Sequence, residues 1–76
     1  MDKFLELKEQ FEEERKMYMV ALKTAKQERK ALVKYLEVKE QDLSEVDEVK
    51  ETDDRIAKYK KVIKVYDRIL RILNSI

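Results

Sequence analysis

The sequence predicts an all-α chain: a hairpin of two long helices that dimerises into an antiparallel four-helix bundle. Three observations carry this. The 76 residues contain no Gly and no Pro, and β-hairpin turns lean heavily on both. Apolar residues recur at alternating spacings of three and four, which places them on one helical stripe. Midway, the heptad phase of that stripe shifts within an acidic stretch that holds several helix-capping residues.

The clearest element is the last third. Ile56, Tyr59, Ile63, Tyr66, Leu70 and Leu73 form one line, and Val62, Ile69 and Ile76 fall beside it and widen it. Lys60, Lys61, Lys64, Arg68 and Arg71 hold the other side. A helix with so apolar a face must bury it against something.

The first helix is predicted over about residues 3–39, starting behind Asp2, with acids following where the helix dipole favours them. Phe4, Phe11, Tyr18, Ala25 and Leu32 lie at heptad spacing, with Leu7, Ala21 and Tyr35 as companions. Leu22, Leu36, Met19 and Val33 drift around the helix, a face broad enough for two neighbours.

Between the helices the sequence predicts a turn at about 40–44, with the second helix running over about 45–75. Asp42 with Glu45, and Ser44 with Asp47, have capping-box spacing. Thr52 is a third capping candidate, so a turn at 52–54 is the fallback. A straight continuous coil is the remaining structural alternative. With a turn near Asp42, residue i faces about 84 − i. That sets Tyr18 near Tyr66, Phe11 near Leu73, and small Ala21 and Ala25 opposite Ile63 and Tyr59.

Two helices enclose no core, and a chain this short buries only roughly 60% of its unfolded surface. With no Cys or His, disulfides and His- or thiolate-based metal sites are excluded, which leaves oligomerisation as the means of stabilisation. A homodimer is therefore expected, or cover by another protein. The expected interface on the first helix is Phe4, Leu7, Phe11, Tyr18, Leu22 and Leu32. On the second it is Ile56, Tyr59, Ile63, Tyr66, Leu70 and Leu73.

Charge is blocked along the chain. Residues 1–14 carry −4, 15–36 carry +6, 37–54 carry −7 and 55–76 carry +6. Lys23, Lys26, Lys30, Lys58, Lys61 and Lys64 are candidate nucleic-acid contacts, since clustered bases bind phosphates with counterion release. The charges are spread around the helices and no helix-turn-helix, finger or RNP signature accompanies them, so a nucleic-acid-binding regulator is the alternative to a protein-interaction module.

Catalysis is not expected. The hydroxyls of Ser44, Ser75, Thr24 and Thr52 sit near no Gly-rich elbow, and a di-iron bundle site needs His. Glu14 and Glu28 interrupt the apolar seam and are expected to reach Arg71 and Arg55 across the hairpin. No cofactor and no metal are predicted. No apolar run is long enough to span a membrane, and the acidic start lacks the apolar segment of a signal peptide, so a cytoplasmic, intracellular location is expected. Although the C-terminal helix has the makings of an interfacial amphipath, its spacing suits helix partners better than lipid.

Overall fold

The computed structural model describes residues 2–40, 42 and 46–76. Two α-helices, α1 (Lys3–Val38) and α2 (Asp47–Ser75), pack antiparallel as a hairpin. The rod measures 58 × 16 × 14 Å. The chain turns once, so it is not a straight coil.

Each end of α1 has a local cause. The Asp2 carboxylate accepts from the Phe4 backbone N–H at 3.0 Å, and Glu6 lies in the first turn. Both satisfy the orphan donors and partial positive charge of a helix start. At the other end, the Lys39 N–H donates to the Tyr35 carbonyl at 3.2 Å and Glu40 N–H to the Glu37 carbonyl at 3.1 Å. Glu40 then takes φ 55°, the left-handed conformation in which helices commonly stop and which Gly fills most easily. A chain without Gly places a side chain there instead.

α2 begins from Val46, which is extended (φ −92°, ψ 112°) and accepts from the Val49 N–H at 3.1 Å. Val46 has no polar side chain to cap with. The expected capping pairs involve Ser44 and Glu45, which lie outside the described residues together with Gln41 and Leu43. Asp47 and Glu48 occupy the first turn and complement its dipole.

The fallback turn at 52–54 is not formed, because α2 runs through it. Thr52 is buried, and its hydroxyl donates to the Glu48 carbonyl at 2.8 Å. A threonine that bonds back to its own preceding turn needs no capping role.

The seam register follows from two ion pairs. Arg15 meets Asp67 and Arg29 meets Asp53, so residue i lies opposite about 82 − i rather than 84 − i. Aromatic contacts scatter around that line. Tyr18 meets Tyr66 at 5.7 Å and Tyr59 at 6.1 Å between ring centroids. Phe11, expected near Leu73, meets Tyr66 at 6.1 Å.

Burial is uneven along the rod. Among the described residues, Ala25, Leu36, Val49 and Thr52 are the buried ones, all in the half nearer the turn. Towards the open end Phe11, Tyr18, Tyr66, Leu70 and Leu73 are half-buried, while Phe4 and Leu7 are exposed.

Candidate interaction surfaces

Two helices lying side by side leave a groove along each flank of their seam. At 100° per residue, the two flanks gather different side chains. One is tyrosine-rich, the other lysine-rich.

The tyrosine flank is lined by Glu14, Met17, Tyr18, Ala21, Tyr59 and Tyr66. Glu14 is its polar centre: Tyr66 Oη donates to one carboxylate oxygen at 2.8 Å, and Gln10 Nε2 donates to the other at 3.2 Å. Glu14 therefore does not take Arg71, the partner expected from the sequence. The register is two residues shorter than expected, and Tyr66 comes first. This bond to the carboxylate pushes the Tyr66 phenol above its ordinary value, with desolvation and the Glu14 charge acting the same way. Farther along, Glu28 reaches Arg55 at 3.5 Å as anticipated, beside Ala21, Thr24, Ala25 and Tyr59.

The lysine flank has an apolar floor of Met19, Leu22 and Ile63, rimmed by Lys23, Lys26, Gln27 and Lys30. The groove continues past Arg29, Val33, Lys34 and Glu37. Asp53 and Asp67 are already held by Arg29 and Arg15. Among the described residues, Lys23, Lys26 and Lys30 enter no ion pair with an acid of this chain.

The six lysines proposed to meet phosphates divide accordingly. Lys23, Lys26 and Lys30 fall within about 60° of one another on α1. Lys58, Lys61 and Lys64 advance by about 60° per step around α2, so they fan over its outer surface instead of forming one patch with the first three.

The twelve expected interface residues are largely engaged inside the hairpin. Phe11, Tyr18, Tyr59 and Tyr66 stack across the seam, and Leu22 and Ile63 share one groove floor. Leu32, Ile56, Leu70 and Leu73 are half-buried, leaving Phe4 and Leu7 exposed. Tyr35 departs from its expected seam position: it is exposed, with Lys39 Nζ 5.8 Å from its ring centroid.

Sequence reasoning missed Val65 and Ile72, both exposed, because each stands among bases. The signal that finds them is their own spacing from Val62, Ile69 and Ile76.

Among the described residues, no three His, Cys, Asp or Glu are grouped to hold a metal ion, and no helix is long and apolar enough to cross a membrane. Comparison with protein-family models, with curated proteins and with solved structures finds no match for this chain.

Proposed function

We propose that the hairpin is a non-enzymatic protein–protein interaction module, a small adaptor, scaffold or regulator. It acts through its amphipathic helix faces and through self-association into an antiparallel four-helix bundle. The observation that carries this reading is the imbalance of apolar surface. Among the described residues, Ala25, Leu36 and Val49 are the buried apolar ones, while Met17, Met19, Val20, Val65, Ile72 and Ile76 are among the large hydrophobics left in solvent. Apolar side chains left in solvent on so small a domain are stabilised when a partner covers them.

The test is Ile63→Asp with Leu70→Asp, followed by light scattering and circular dichroism. Two carboxylates in the seam should abolish both the dimer mass and most of the helicity. Unchanged mass and helicity in the double variant would overturn the packing.

A second reading rests on the lysine flank. Lys23, Lys26 and Lys30 line one groove without an intramolecular counterion among the described residues, which suits a phosphate backbone. A gel shift that weakens steeply with salt would support a nucleic-acid-binding regulator. No shift at low salt on duplex or single strand would remove it.

A further inference from the structure

We infer that the open end of α2 carries a second, outward seam, Val62, Val65, Ile69, Ile72 and Ile76, and that a second copy of this chain covers it by laying down the same seam antiparallel. This rests on the self-association reading and narrows its four-helix bundle to the open ends, where α2 of each copy makes the contact.

The spacings along these five residues are three, four, three and four, the repeat of a coiled-coil seam. The inner stripe, Ile63, Tyr66, Leu70 and Leu73, already faces α1 and is half-buried. Within the outer stripe Val65 is 53% exposed, Ile72 55% and Ile76 86%, while Val62 and Ile69 are half-buried at its inner edge. All five side chains are β-branched, so each loses little rotamer freedom when packed. An apolar heptad stripe on a helix that already has one partner is a place for another.

Given self-association, charge decides how the second copy sits, and it favours the open end. Residues 62–76 and the stretch of α1 beside them, 6–20, hold six bases and six acids together, a net charge of zero. The middle of the rod next to them, residues 21–27 beside 55–61, holds six bases and no acid, or +6. Two copies overlapped along their whole length would press these middles together. A parallel pair would do the same and would also bring the acidic turn regions side by side. Copies that overlap only at their open ends join neutral segments and keep both middles apart.

The same logic fixes the register. Ile69 of one copy set against Ile72 of the other, with Val65 against Ile76, places Arg68 beside Ser75 and Leu73 beside Tyr66. Sliding one heptad towards the turns would set Arg68 against Arg68. The four layers of the first register, built from Val65, Ile69, Ile72 and Ile76 of each copy with Val62 at their margin, carry only Val and Ile and bring no like charges together.

The chain has no Cys, so one spin label can be placed cleanly at Lys50→Cys on α2. Antiparallel overlap at the open ends predicts a label-to-label distance of ~60 Å at 1.5 Å rise per residue, against ~30 Å for full antiparallel overlap and under ~20 Å for a parallel pair. Either shorter distance overturns the proposal. In parallel, Val65→Lys with Ile72→Lys should convert the dimer to a monomer of unchanged helicity, since the inner seam is untouched. A double variant that stays dimeric would overturn the outer seam while leaving self-association standing. A monomeric wild-type protein would overturn both.

Discussion

Arg15 Nε meets Asp67 Oδ1 at 2.6 Å across the hairpin, and fourteen residues farther along both helices Arg29 meets Asp53 in the same register. Asp67 is the only acid among residues 55–76, and Glu28 is the only one among 15–36. Each finds an arginine on the opposite helix, Arg15 and Arg55. The single acid of each basic block is thus spent in holding the other block alongside. Partly exposed pairs of this kind contribute little free energy, but sliding the helices by one residue would break several at once.

A double-mutant cycle on Arg15→Ala and Asp67→Ala should give a coupling of about 0.5 kcal/mol, within the range for exposed pairs. It should shrink in high salt, where such pairs are screened. Chemical denaturation of the four proteins measures it. A coupling of zero at low salt would mean that the pair does not hold register in solution.

Tyr66 predicts a pH dependence. Its phenol donates to the Glu14 carboxylate, which raises its pKa above the ordinary 10.0. A group whose folded pKa is raised contributes stability that is present in full below its unfolded pKa and lost as pH rises through the folded one. The hairpin should therefore lose stability in the alkaline range above pH ~10, as the phenol ionises beside a carboxylate. Tyrosinate absorbance should show one tyrosine titrating late. Glu14→Gln should bring that step back towards the ordinary phenol value, and Tyr66→Phe should delete it. A titration in which both variants match the wild type would contradict this contact.

Glu40 holds a left-handed backbone that costs a residue with a Cβ. Glu40→Gly should raise stability by ~1 kcal/mol, less the entropy Gly adds to the unfolded chain. Glu40→Ala serves as the control, because it removes the same charge and keeps the strain. If both raise the denaturation midpoint equally, relief of acidic repulsion rather than backbone geometry is the cause.

The helices and their antiparallel packing were legible from the apolar spacing, the absence of Gly and Pro, and the phase break before Ile56. Helix azimuth was harder to read. Glu14 has no base three or four residues away, which made Arg71 its apparent partner, but a tyrosine hydroxyl on the seam serves a carboxylate as well. Thr52 looked like a cap because the same hydroxyl chemistry serves two sites, a helix start or a bond back to its own turn. Val65 and Ile72 take no place on either expected stripe, because Lys64, Arg68 and Arg71 surround them and a mean over neighbours hides a stripe. The residue before α2 is Val46, which has no polar side chain, so the start expected at about 45 from Asp42 and Ser44 falls two residues before Asp47.

Because the buried residues sit in the turn-side half and the chain ends meet half-buried or exposed side chains, the hairpin has the mechanics of tweezers. The turn-side half grips, and the tips part first. Backbone amides near Leu36 and Val49 should then exchange with solvent far more slowly than those near Leu7 and Leu73, in one gradient along both helices. Whatever occupies the tips clamps the molecule shut as it binds, so occupancy and firmness at that end rise together.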